Sequence, residues 1–151
     1  MSIHDRLRAR GIALPHAAAP VASYQPVVVD GHTAFVSGQL PFVDGELVTG
    51  KLGEGVTLEQ GQQAARACGL MILAQLEAAG LIERVAHFVK LGGFVACTPY
   101  FYDQPKVING ASDLMYEVFG DPGKHARSAV GVPALPLNAA VEVDAIVALK
   151  A

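Results

Sequence analysis

The sequence predicts an α+β fold in which two long helices pack on one face of a mixed β-sheet. Short runs of alternating apolar residues lie near both ends of the chain. Two longer segments between them carry helical spacing with caps at their ends. The runs follow one another in the order ββ-α-β-α-ββ. At 151 residues the chain fits one domain with a substantial core.

The first turn reads as a short helix capped by Ser2, with Asp5 at the favourable third position and Gly11 and Pro15 ending it. Its apolar pair, Ile3 and Leu7, predicts a helix laid on the surface of a larger body. Pro26 to Ser37 reads as a β-hairpin around Asp30-Gly31, a pair that suits the positive φ angles of a primed turn. A second Asp-Gly, Asp44-Gly45, sits between Phe42-Val43 and Leu47-Val48. The clearest element is the helix from Leu58 to Ala79, with a Thr57/Gln60 capping box and Gly80 as its stop. Small residues on its apolar stripe would let it lie close to a sheet. Val85 to Ala96 reads as a strand in which Gly92-Gly93 predicts a bulge or a close approach by another backbone. A second helix spans about Pro105 to Phe119, with Asp103 as its cap. Strands over Arg127–Val132 and Val141–Leu149 complete the chain.

Composition excludes several classes of function. The 11 Lys and Arg residues are scattered and net charge is −3, which argues against nucleic acid because phosphate neutralisation needs clustered cations. No apolar run approaches the roughly 20 residues of a membrane span, and MSIHDRLRARG has no signal-peptide core. The two cysteines, Cys68 and Cys97, make no disulfide framework and lack metal-ligand spacing, so cytoplasm is the expected address. The five histidines include no i+3 or i+4 pair, and no metal site is expected. With only 17% charged residues, some apolar surface is expected between subunits of a homo-oligomer.

The last two strands hold the candidate chemistry. In Val141-Glu142-Val143-Asp144-Ala145 the acids share one face. Arg127 opens the preceding strand beside the small residues Ala129 and Gly131, with room to bind a carboxylate through its planar fork. Glu142 could then orient a water or accept its proton. Spacing alone favours a structural ion pair or plain exposure over a site. Gly38, in Ser37-Gly38-Gln39, can offer its backbone N–H to a ligand, and Tyr24 can wall an apolar pocket. Cys97 reads as an inert thiol, and His125 as a solvated loop residue that could instead line the Arg127 cavity.

Four features form an ordered set: Phe35-Val36-Ser37-Gly38-Gln39-Leu40-Pro41, the loop glycines, the long capped helix, and the tail. The tail reads Ala126-Arg127-Ser128-Ala129-Val130-Gly131-Val132, Leu135-Pro136 and Val141-Glu142-Val143-Asp144-Ala145. This set resembles the Rid family, the reactive-intermediate (enamine/imine) deaminases also called the YjgF family. The resemblance runs from about residue 19 to the C-terminus. It implies residues 1–18 as an N-terminal extension and 19–151 as a domain of chorismate-mutase-like fold. It also implies a homotrimer with pockets at subunit interfaces and hydrolysis of imines and enamines such as 2-aminoacrylate to 2-keto acids and ammonia, with no cofactor or metal. Non-catalytic binding of a keto acid is the alternative, and the endoribonuclease activity carried in older family names ranks below it. Mapped by resemblance, Arg127 clamps the substrate carboxylate and Glu142 places the attacking water. Backbone N–H groups near Gly38 and Ala129 complete the cradle, and Tyr24 is a wall. Ala129 stands where a cysteine is common. Asp113 falls where deaminating members often have asparagine, and its charge would disfavour an anionic substrate. The chain reads as a divergent branch.

Overall fold

The computed structural model describes residues 1–19 and 23–151. Its centre is a five-stranded sheet of order β1-β2-β9-β7-β8, made of β1 (Val27–Asp30), β2 (Thr33–Gln39), β7 (Val85–Ala96), β8 (Ala126–Val132) and β9 (Val141–Leu149). Only β7 and β8 run parallel, so the sheet is mixed. Between β2 and the first long helix lie the small hairpin β3 (Phe42–Val43) with β4 (Glu46–Leu47) and the short pair β5 (Lys51–Leu52) with β6 (Gly55–Val56). The helices α2 (Leu58–Ala78) and α3 (Gln104–Phe119) cover one face of the sheet. Along β9 burial alternates strictly. Val141, Val143, Ala145, Val147 and Leu149 enter the core under the helices, while Glu142 and Asp144 point away from it.

Local chemistry explains the element ends. Thr57 accepts from the Gln60 N–H while the Gln60 side chain accepts from the Thr57 N–H, the reciprocal box expected. At the other end Gly80 takes φ 72°, Leu81 N–H bonds to Leu76 C=O and Gly80 N–H to Glu77 C=O, a Schellman stop. Asp103 stands at the α3 cap position, but its side chain caps nothing and faces Lys106 instead.

Two turn readings shift. The first hairpin turns on Gly31-His32, one residue later than expected, because Asp30 pairs with Thr33 and only Gly31 takes positive φ. At Gly92-Gly93 the ladder is regular. The irregularities of β7 lie at residues 86 and 89, and the bodies that approach the glycines are side chains rather than backbone: Asp144 at Gly92 and Ile108 at Gly93. The small residues of α2 serve its contact with α3 as well as with the sheet, since Gly69 packs on Leu114.

Helix α1 (Ile3–Ala9) carries the Ser2/Asp5 capping box and buries Leu7 in the main core. Glu83 accepts the N–H groups of Ile3 and His4 at 2.8 and 3.0 Å, where a carboxylate complements the helix N-terminus. The His4 ring lies between the carboxylates of Glu77 and Glu83, whose hydrogen bonds, Glu77 foremost, raise its pKa.

Candidate active site

The candidate residues divide between two clefts. Arg127 and Asp113 line a cleft of about 410 Å³ between α3 and the edge strand β8. Tyr24, Gly38 and Glu142 line another of about 400 Å³, walled also by Met71 and Gln75 of α2 and by Pro136 and Leu137. Ala129 sits on the same side of β8 as Arg127, half-buried against the core. A larger cavity, about 770 Å³ between residues 13–18, the β3–β4 hairpin and α2, is lined by none of the candidate residues.

Register explains the division. Arg127 pairs with Leu91, which pairs with Ala145, so the arginine shares the helix-covered face. Glu142 pairs with Phe94, which pairs with Val130, and these belong to the opposite face. Strand β7 lies between the two, and their α-carbons are roughly 14 Å apart from sheet spacings alone. The ion pair that spacing allowed between Arg127 and Glu142 within one chain therefore does not form.

Helix α3 holds the arginine. Arg127 Nη1 donates to Asn109 Oδ1 at 2.8 Å and to Ser112 Oγ at 3.2 Å. Asn109 and Ser112 are three apart on a helix and so share a face. With Nη1 engaged, the Nε–Nη2 edge has no partner among the described residues, and that edge is itself a fork for a carboxylate. Asp113 lines the same cleft, exposed, and forms no hydrogen bond or ion pair with the guanidinium. The asparagine that holds the arginine is Asn109, one turn earlier, which the sequence reading missed. The i, i+3 spacing of Asn109 and Ser112 was the available signal. His125 is also part of this cleft: its Nε2 lies 2.8 Å from Ser112 Oγ and its Nδ1 2.7 Å from Gly123 C=O.

In the second cleft, Glu142 packs against the bare α-carbon of Gly38, where a built Cβ would lie 2.6 Å from Oε2. Beneath them the buried Gln39 and Gln75 are joined at 3.3 Å, and Gln75 also donates to Ala18 C=O, tying the N-terminal segment to the cleft. Partial burial, then the neighbouring charge of Asp144, raises the Glu142 pKa. Burial also raises that of Asp144, against the opposing effects of the Gly92 N–H and Lys90. A raised carboxyl pKa means that ionising Glu142 costs the folded chain stability. The penalty is absent below the ordinary value of 4.5 and reaches its full size once pH has passed the elevated native value. Glu142→Gln is therefore expected to raise the urea midpoint at pH 8 and leave it unchanged at pH 4. A loss of stability at pH 8 would refute this electrostatic account.

Cys97 is buried and free, its sulfur near the Gln104 amide at 3.6 Å, and Cys68 is fully buried, which pushes its thiol pKa up. Among the described residues no group of three or more His, Cys, Asp or Glu is placed to hold a metal ion, and no helix is long and apolar enough to cross a membrane.

The sequence and the fold have relatives. Residues 4–149 match the family model described as "YjgF/chorismate_mutase-like, putative endoribonuclease". Protein TCP17 of Trypanosoma cruzi is 52% identical over 95% of this chain and 92% of its own. The crystal structure of Atu1372 from Agrobacterium tumefaciens, a protein of unknown function, superposes with a TM-score of 0.90 at 46% identity, covering 98% of this chain and 92% of that one. The 2-iminobutanoate/2-iminopropanoate deaminase of Dermatophagoides farinae is 33% identical over 93% of this chain and 97% of its own. E. coli TdcF, solved with bound serine, superposes with a TM-score of 0.65 at 25% identity over 90% of this chain and 94% of its own. With its mixed sheet, two main helices and short N-terminal helix in the chorismate-mutase-like arrangement, the chain belongs to the YjgF (Rid) family.

Proposed function

We propose that this protein hydrolyses small imines and enamines that carry a carboxylate, of the 2-aminoacrylate type, to 2-keto acids and ammonia. The observation that supports this best is the Arg127 guanidinium, fixed through Nη1 by Asn109 and Ser112 with its Nε–Nη2 edge unengaged among the described residues. A bidentate carboxylate on that edge would hold the electrophilic C=N carbon in the cleft, so positioning a water beside it supplies much of what hydrolysis needs. Two relatives agree with this chemistry, one a 2-iminobutanoate/2-iminopropanoate deaminase and one solved with bound serine.

Arg127 and Glu142 cannot meet one small substrate within a single chain, because they face opposite sides of the sheet. A second copy can bring the Glu142–Gly38–Tyr24 cleft to the Arg127 cleft, with Glu142 placing the water. The homotrimer belongs to this proposal. The open sheet face supports it: Phe35 and Val130 are 44% and 46% exposed there, an apolar surface of the kind that subunits cover. A net charge of −3 with scattered cations weighs against ribonuclease action.

The test generates imines in situ with an amino-acid oxidase, in the presence of a competing trapping agent. Faster release of keto acid with the protein than without it is the expected result. No acceleration over a broad amino-acid panel, with saturable thermal stabilisation by keto acids, would replace hydrolysis by metabolite binding.

A further inference from the structure

We infer that Ser112 and His125 form the proton-transfer pair of the Arg127 cleft. This rests on the hydrolytic reading above and adds to it the groups that move protons. Its starting point is a tautomer. The Gly123 carbonyl, 2.7 Å from His125 Nδ1, can only accept a hydrogen bond, so in the neutral ring Nδ1 carries the proton and Nε2 is bare. Ser112 Oγ, 2.8 Å from Nε2, therefore donates its proton to the ring. The same oxygen accepts from Arg127 Nη1 at 3.2 Å, and the adjacent guanidinium favours any negative charge that develops on it. A hydroxyl bonded to an oriented imidazole, with a cation beside it, is built to pass a proton.

The arrangement is assembled by the fold. Gly123 lies in a one-turn 3₁₀ helix pressed on α3, so close that a Cβ there would fall 2.5 Å from the Met115 carbonyl carbon. That contact fixes the carbonyl that sets the tautomer. The other titratable groups around the ring are Asp113 and Tyr116 of α3, Lys124 of the approach to β8 and Arg127 of β8 itself. Lys124 is held over the Tyr116 ring and by Asp121, and neither it nor Asp113 is hydrogen-bonded to the imidazole among the described residues. Glu142 faces the other side of the sheet, and within the chain Ser112–His125 is the pair hydrogen-bonded to the arginine.

In imine hydrolysis the pair carries one proton from oxygen to nitrogen in each of two steps. In the first, the water oxygen bonds to the imine carbon and the C=N π pair moves onto nitrogen. Water's proton passes to Ser112 as the serine proton passes to Nε2, and the reverse transfer protonates the nitrogen. In the second, the hydroxyl proton leaves by the same route, its electron pair closes the carbonyl, and the C–N pair departs with nitrogen, which takes the proton back. Imine plus water gives ketone plus ammonia, and both side chains return to their starting states.

The experiment measures kcat and KM for an oxidase-generated 2-imino acid at several pH values. His125→Ala and Ser112→Ala are each expected to lower kcat roughly 100-fold, at the lower end for general acid–base catalysis, with KM little changed in His125→Ala, which keeps both hydrogen bonds to Arg127 Nη1. His125→Ala should also recover rate in proportion to added free-base imidazole, which a packing role would not allow. Unchanged kcat in both variants, or a change in KM alone, would overturn the relay and leave the hydrolytic reading standing. A wild-type protein inactive at every pH would overturn both. Independently of any variant, ¹⁵N shifts of the His125 ring in the wild-type protein should show Nδ1 protonated and Nε2 bare at high pH. The opposite tautomer would overturn the proposal.

Discussion

Arg127→Ala is expected to lower kcat/KM for a carboxylate-bearing imine by about two orders of magnitude while the protein melts within a few degrees of the wild type. The arginine sits on the edge strand, partly exposed, and its two bonds to α3 are surface contacts of a kind whose loss costs little stability. Its contribution to a bound carboxylate is larger. Hydrogen bonds to charged groups contribute about 1.5–3 kcal/mol each, and a loss near 3 kcal/mol is a factor of roughly 150. A carboxylate is equally charged in the ground and transition states, so most of the loss should appear in KM, apart from whatever part of kcat depends on holding C=N against the water. Arg127→Lys keeps the charge without the planar fork and should recover only part of the rate. Steady-state kinetics beside thermal melts decide the matter. Wild-type kcat/KM in Arg127→Ala would mean that the carboxylate is held elsewhere, and the proposed function would lose its main support.

This expectation rests on features that differ in how far they can be read from the chain. The capping boxes at Ser2 and Thr57 and the stop at Gly80 are legible because each bond joins residues within five positions. The alternation that puts Glu142 opposite to Val141 and Val143, and Arg127 beside Ala129, is equally local. Strand order is not local. Nothing in the two tails says that β7, some 40 residues earlier, enters between β8 and β9 and leaves Arg127 and Glu142 on opposite faces. The Asn109–Ser112 seat escapes for a similar reason: which face of α3 meets β8 depends on how the helix is docked. The family resemblance pointed to Asp113, and the docked helix presents Asn109, one turn away, to the guanidinium instead. The turn at Gly31-His32 shows the limit at short range, since Asp30 pairs in the ladder rather than turning.

The docking of α3 makes its own prediction, and Gly110→Ala should be among the most destabilising single-methyl changes in the protein. A Cβ at Gly110 would land on the Gln62 carbonyl oxygen of α2, 2.9 Å from its carbon and 3.2 Å from Arg66 N. These are backbone atoms of a helix, so no rotamer change relieves the clash and the two axes must separate. Alanine in a helix interior gains about 1 kcal/mol over glycine in propensity. Overpacking typically costs about 1–3 kcal/mol and should exceed that range when rigid backbone is what must move. A net loss of about 2 kcal/mol corresponds to a melting point lower by roughly 4–8 °C for a chain of this size. Gly69→Ala on the facing helix is the control. Its Cβ meets the Leu114 Cδ2 methyl at 2.9 Å, and that side chain can turn away, so propensity should offset most of the cost. The separation of α3 from α2 also moves Asn109 and Ser112, so Gly110→Ala should lose imine turnover at temperatures where it remains folded, whereas Gly69→Ala should keep it. If Gly110→Ala melts at or above the wild-type temperature, α2 and α3 do not approach as closely as the seat of Arg127 requires.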